Sequence, residues 1–132
     1  MAVAAFDHAA IPIADVDAML RFYGALGCEV HEVLPPLFYS VAFGDNKINF
    51  HGPGTWCSSE FTLRGPSAKP GCGDFCFVWD GTAGQLAEML ARLDVPIVEG
   101  PVARVGGRGL TGQSTYIRDP DGNLLEFIVY PA

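Results

Sequence analysis

Four ionisable residues lie in strand-like segments whose alternation would direct them toward a sheet face. His8 and His51 belong to the first half of the chain, and Asp74 and Glu126 to the second half. Because successive side chains of a strand point to opposite faces, Glu126 shares its face with Leu124. Uncompensated carboxylates inside a protein are costly to bury. Two imidazoles and two carboxylates would instead suit a divalent cation, which would remove that cost.

The segments that must position these residues follow the same order in both halves. A strand at 5–13, a helix from Asp15 to Leu26 and strands at 29–34, 37–43 and 47–51 are predicted for the first half. The second half predicts a strand at 73–79, a helix from Thr82, a short strand at 96–98 and strands at 114–118 and 124–130. The order is β-α-β-β-β, twice.

This order indicates an internal repeat. The two helices begin 67 residues apart, at Asp15 and Thr82, whereas the last strands, compared at His51 and Glu126, are 75 apart. The additional residues are assigned to the Gly-rich stretch 100–112. We expect an α+β fold in which two tandem βαβββ modules form a curved, barrel-like mixed sheet with the helices outside. The expected unit is a single domain, 1–132, with module 1 at about 4–52, a connection at about 53–71 and module 2 at about 72–131.

Composition excludes several classes of partner. The chain of 132 residues has a formal net charge of -7, and its eight Lys and Arg residues occur without a basic run. Binding to nucleic acid or to anionic membranes is therefore disfavoured. No apolar run is long enough to span a bilayer, and the apolar N-terminus lacks the basic residues of a signal peptide. The four cysteines lack zinc-knuckle spacing, so we expect a cytoplasmic protein with reduced thiols.

Two motifs carry a resemblance to a known family. The opening Phe6-Asp7-His8, followed by the segment 15–23 (DVDAMLRFY), and the closing segment 118–127 (RDPDGNLLEF) resemble the vicinal-oxygen-chelate superfamily. That group includes glyoxalase I, bleomycin resistance proteins and extradiol dioxygenases. The internal segment 47–51 (KINFH) is similar to the branch of glyoxalase-domain-containing proteins. The resemblance covers essentially the whole chain and implies a glyoxalase-like fold.

The resemblance implies a metal site at His8, His51, Asp74 and Glu126. Asn49 shares the face of His51 and is the alternative for the second ligand. The family often has His at the position of Asp74. A site of three ligands, His8, His51 and Glu126, therefore stays open, with Asp74 hydrogen-bonded to a ligand and not to the metal. The ligand set suits Ni, Co, Mn or Fe, or Zn with an expanded coordination shell.

Two functions follow as hypotheses. The first is a metal-dependent lyase or isomerase, or a ring-cleaving dioxygenase, acting on a small oxygen-chelating substrate. Glu126 would be the general base, and Arg104 and Arg108 of the Gly-rich stretch would bind a substrate carboxylate or phosphate. The second is a metal-free protein that sequesters a cationic drug, as bleomycin resistance proteins do. Both hypotheses include a small-molecule partner and a homodimer.

Overall fold

The computed structural model describes all 132 residues, which divide into two compact units, Met1–Cys72 and Gly73–Ala132. The first unit contains strands β1 (His8–Pro12), β2 (Glu29–Leu34), β3 (Phe38–Phe43) and β4 (Asn46–His51), with helices α1 (Val16–Ala25) and α2 (Pro53–Trp56). The second contains strands β5 (Asp74–Val78), β6 (Glu99–Val105), β7 (Thr111–Arg118) and β8 (Leu124–Val129), with helix α3 (Ala83–Arg92).

Each unit contains one mixed four-stranded sheet of the same topology. The strand order is β1-β4-β3-β2 in the first unit and β5-β8-β7-β6 in the second. The first strand of each unit pairs in parallel with the last, and the remaining pairs are antiparallel. The predicted α+β class and the repeated βαβββ order are confirmed. No helix has the length and apolar character needed to cross a membrane.

The helices form where local sequence favours them and bury one face each. Asp15 caps α1 by accepting a hydrogen bond from the Ala18 amide at 3.1 Å. Thr82 and Gln85 form the predicted capping box of α3. In the first unit Tyr23 of α1 is fully buried, and its ring lies edge-on to that of Phe50 on β4, with 5.3 Å between centroids. The face of this sheet that carries Phe50 therefore belongs to the core.

The Gly-rich stretch is mostly strand. The prediction of a short strand at 96–98 is wrong, because the strand of this region, β6, occupies Glu99–Val105. Only a short turn separates β6 from β7, closed by a bond of 3.0 Å from the Gly106 amide to the Leu110 carbonyl. A Cβ on Gly112 would lie 2.7 Å from the Ile128 side chain. Glycine here permits close packing of β7 on β8.

Candidate functional site

The polar face of the first sheet is ordered by its pairing register. His8 at the start of β1 lies opposite Lys47 of β4. The next same-face position on β4 is Asn49, which lies opposite Ala10 of β1 and Ser40 of β3. Since directly paired residues project to the same side, His8 and Asn49 are diagonal neighbours on one face. His51 lies one same-face position further on, opposite Pro12.

The His8 imidazole is exposed and oriented by its sequence neighbour. Its Nδ1 lies 2.6 Å from a carboxylate oxygen of Asp7. With Nδ1 engaged, Nε2 is the nitrogen available to a ligand. A carboxylate on the second nitrogen is the arrangement that commonly fixes the tautomer of a metal-binding histidine. The local geometry of His8 is therefore compatible with the predicted ligand role.

His51 lies in a different environment. It is 8% exposed, and its ring lies edge-on to those of Phe38 and Phe61, at centroid distances of 5.8 and 5.1 Å. Burial lowers the pKa of His51, and the positive charge of Arg64 lowers it further. The imidazole is thus held neutral among aromatic rings. Along β4 it lies four residues beyond Lys47, the residue opposite His8.

Glu126 of β8 is the best-oriented polar group of the second sheet. Its Oε2 accepts a hydrogen bond of 2.6 Å from the hydroxyl of Ser114, which is completely buried. Glu126 lies opposite Cys76 on β5 and opposite Tyr116 on β7. Asp74, at the start of β5, lies opposite Leu124 and is therefore the diagonal neighbour of Glu126. Asp74 and Glu126 share a face, as the alternation predicted.

The two carboxylates beside Cys76 affect the pKa of its thiol. Burial of the thiol, the charge of Glu126 and a hydrogen bond to its carboxylate together raise the pKa of Cys76 to about 12, and the charge of Asp74 adds to the shift. A thiol with so high a pKa stays protonated at neutral pH, and its Sγ donates to the Phe77 carbonyl oxygen at 4.0 Å. It therefore acts as a hydrogen-bond donor and not as a nucleophile.

The two arginines predicted to bind substrate occupy different positions in the second unit. Arg104 on β6 donates from Nε to the Tyr116 hydroxyl at 3.1 Å and lies 3.7 Å from a carboxylate oxygen of Glu99. Because Tyr116 is directly opposite Glu126, Arg104 belongs to the same sheet face. Arg108 lies in the β6–β7 turn, with its guanidinium 4.6 Å from the centre of the Tyr130 ring.

The ladders also define which residues of the two units are equivalent. Lys47 pairs with His8 as Leu124 pairs with Asp74, so Lys47 and Leu124 occupy equivalent positions in the two units. Two residues further along each strand, Asn49 is therefore equivalent to Glu126. The comparison of His51 with Glu126 used to measure the repeat is therefore wrong by two residues. His51 corresponds to Ile128. At the equivalent position, the first unit carries a carboxamide where the second carries a carboxylate.

Within neither unit does a group of three or more His, Cys, Asp or Glu side chains form a complete metal centre. The first unit supplies His8, with Asn49 as its diagonal neighbour, and the second supplies Asp74 and Glu126. Imidazole nitrogen and carboxylate or carboxamide oxygens are suitable donors for Mn, Fe, Co or Ni. The donor chemistry of the residues in each unit is that of divalent-metal ligands.

Three residues that shape this site were missed from the sequence. Ser114 and Tyr116 alternate on β7, on the face of Glu126, and Asp7 precedes His8 directly. The alternation of β7 was visible in the sequence. However, only the pairing of β7 with β8 shows that Ser114 reaches Glu126.

Comparison with known proteins gives concordant results. The family model described as Glyoxalase/Bleomycin resistance protein/Dioxygenase superfamily matches residues 5–127. The chain is 35% identical over 130 residues to the glyoxalase domain-containing protein RDO1 of Mycosarcoma maydis, covering 98% of this chain and 70% of the relative. It is 32% identical to the virulence protein STM3117 of Salmonella typhimurium, covering 98% and 87%.

A solved structure from the mobile metagenome of V. pseudocholerae, VPC_CASS1, superimposes on this chain with a TM-score of 0.87. The two sequences are 33% identical, and the match covers 100% of this chain and 98% of the other. Both the repeated βαβββ topology and these matches lead to one assignment. The chain belongs to the glyoxalase/bleomycin resistance protein/dioxygenase superfamily.

Proposed function

We propose that the protein is a divalent-metal-dependent enzyme acting on a small substrate that offers two oxygen atoms for chelation. The reaction would be of the lyase or isomerase type or a ring-cleaving oxygenation. The observation that carries the proposal is the orientation of Glu126, whose Oε2 is fixed by a hydrogen bond from the buried Ser114 hydroxyl. A carboxylate held in this way by a hydroxyl resembles the supported ligands of metalloenzymes.

The ligands we propose are His8, Asp74 and Glu126, with a fourth from Asn49 or His51. The pairing register supports Asn49, because it is the diagonal neighbour of His8 just as Glu126 is of Asp74. His51 offers a neutral imidazole, which is chemically the stronger donor. When bound, the metal would supply Lewis acidity that stabilises negative charge on a substrate oxygen.

The groups around Glu126 would orient it as a general base. The hydroxyl of buried Ser114 donates to its Oε2. Held in this way, Glu126 would accept a proton from a substrate carbon or hydroxyl. Arg104, positioned by Tyr116, would bind a substrate carboxylate on the same face, and Arg108 would do so from the adjoining turn.

Calorimetric titration of metal-stripped protein with Mn²⁺, Co²⁺, Ni²⁺ and Zn²⁺, and with Fe²⁺ without oxygen, tests the proposal. We expect about one ion per chain, and much weaker binding in His8→Gln and Glu126→Gln. His31→Gln and Glu88→Gln are matched controls, because both residues are exposed and neither is a proposed ligand. Bound metal should raise the melting temperature, and chelation should lower it by several degrees. Absence of stoichiometric binding by all five ions would refute the proposal.

A metal-free binding protein is the second candidate. Asp74 and Glu126 lie on one sheet face of a chain with a net charge of -7, and on that face Arg104 is already paired with Glu99. Such a face would attract a cationic ligand. Bleomycin is a suitable probe. Tight bleomycin binding by metal-stripped protein, without stoichiometric metal binding, would favour this candidate over the enzyme.

We also propose that the two units function as one domain and that the chain forms a homodimer in the cytoplasm. The free state of all four cysteines is compatible with a reducing compartment. A single thermal transition would support the first part, and a sedimentation mass of two chains the second. A mass near one chain at micromolar concentration would contradict the dimer.

A further inference from the structure

A cavity lies in the segment that follows β4, which the sequence indicated only as a connection between the two modules. Its volume is about 320 Å³. Its walls come from the end of α2 and the chain after it, chiefly Trp56, Phe61 and Arg64 with the hydroxyl residues Ser58, Ser59 and Thr62. None of the proposed metal ligands lines this cavity, although the ring of His51 lies 5.1 Å from that of the wall residue Phe61.

Arg64 has an unsatisfied donor in this cavity wall. Its Nη2 donates to the carbonyl of Ala68. Its Nε is shielded from solvent and has no hydrogen-bond partner. Buried donors of a charged group are costly to leave unpaired, so such an atom indicates a missing acceptor.

The charge of Arg64 is also uncompensated. No carboxylate lies within ion-pair distance of its guanidinium, although the chain has fifteen acidic residues and only eight basic ones. The cavity therefore has one cation and no counterion.

The other cavity residues suit a small anion with an apolar part. The Trp56 Nε1 donates to the Ile13 carbonyl at 3.0 Å, so this indole offers its ring to a ligand and not its donor. The guanidinium carbon of Arg64 lies 6.0 Å from the centre of that ring. The hydroxyls of Ser58, Ser59 and Thr62 supply further donors to an oxyanion.

We propose that this cavity binds the carboxylate or phosphate group of a small molecule, with the Arg64 guanidinium as its counterion and Trp56 against its apolar part. The anion would supply the counterion that Arg64 lacks. Charge-assisted hydrogen bonds from arginine to carboxylate or phosphate are among the stronger polar contacts in proteins. No proposed metal ligand lines this cavity, and the proposal does not depend on a bound metal.

Binding of inorganic phosphate and of benzoate to protein freed of metal on a chelating resin tests this site. Calorimetry gives the affinity, and Trp56 fluorescence in a Trp79→Phe background reports on the cavity itself. We expect binding that weakens with added salt and falls roughly tenfold to a hundredfold in Arg64→Gln. Arg21→Gln, which removes an equal charge from the exposed face of α1, should leave the affinity unchanged. Circular dichroism checks the fold of each variant.

Arg64→Lys provides a second measurement should Arg64→Gln fail to fold. It retains the charge and loses the planar donor set, so we expect weaker binding than in the natural protein for both probes. Equal affinity in natural protein and both Arg64 variants would overturn the proposal, as would no binding of either probe. Phosphate binding that requires added metal and is lost in Glu126→Gln would also overturn it, because the anion would then belong to the metal site.

Discussion

The hydrogen bond between Ser114 and Glu126 gives a sharp test of the site in the second unit. Replacing Ser114 by Ala removes a 2.6 Å bond from a fully buried hydroxyl to a carboxylate. Hydrogen bonds to charged groups contribute about 1.5–3 kcal/mol to stability. Since Glu126 is only half-buried, water can replace part of the lost bond, and we expect the lower value, about 1.5 kcal/mol.

That loss converts into a measurable change in melting temperature. The entropy of unfolding is about 2.1 cal/mol/K per residue, which for this chain is about 0.28 kcal/mol/K. Ser114→Ala should therefore lower the melting temperature by about 5 °C in metal-free protein. In metal-binding assays it should also reduce affinity by about 10- to 100-fold, since it frees the carboxylate to rotate.

A double-mutant cycle with Glu126→Gln isolates the interaction. In the Gln background the bond joins two neutral groups, so Ser114→Ala should cost about 0.5–1 kcal/mol less than in the natural protein. Thermal or urea unfolding followed by circular dichroism provides the four stabilities. A shift below about 1 °C for Ser114→Ala, or equal costs in both backgrounds, would refute the inferred orientation of Glu126 by Ser114.

Three further predictions concern the ligand register, the Cys76 thiol and the β7–β8 turn. If the register selects the ligand, Asn49→Ala should weaken metal binding more than His51→Gln does; the reverse order in calorimetry would place the ligand at His51. Because its pKa is about 12, Cys76 should react with iodoacetamide at pH 8 far more slowly than Cys57, although both residues are exposed. Glu126→Gln should accelerate the reaction of Cys76, as mass spectrometry of the peptides can show. Unchanged alkylation in Glu126→Gln would contradict the thiol–carboxylate contact. Asn123→Ala should lower the free energy of unfolding by about 2–3 kcal/mol, because buried Asn123 joins Asp119 to the Gly73 amide; a loss under about 0.5 kcal/mol in urea unfolding would contradict that role.

Local patterns in the sequence were sufficient to predict the fold class. The helical spacing of apolar residues, the capping box at Thr82 and the turn before Leu124 all depend on residues a few positions apart. Alternation with a period of two likewise grouped Asp74 with Cys76 and Glu126 with Leu124, because each strand fixes that property by itself. The pairing of β5 with β8 then brings the two groups to one face. The repeated order of these elements, together with the opening and closing motifs, was also enough to indicate the family.

The pairing register and the second cavity were decided only by tertiary structure. Register depends on hydrogen bonds between strands such as β1 and β4, which are far apart in the chain, and a shift by two residues preserves the same alternation. The sequence therefore favoured His51 over Asn49 only for its ligand chemistry, whereas the pairing shows that Asn49 is the repeat equivalent of Glu126. The segment after β4 has no periodicity to interpret. Arg64 reaches Trp56 and the surroundings of His51 only because the chain folds back on itself there, which no local spacing encodes.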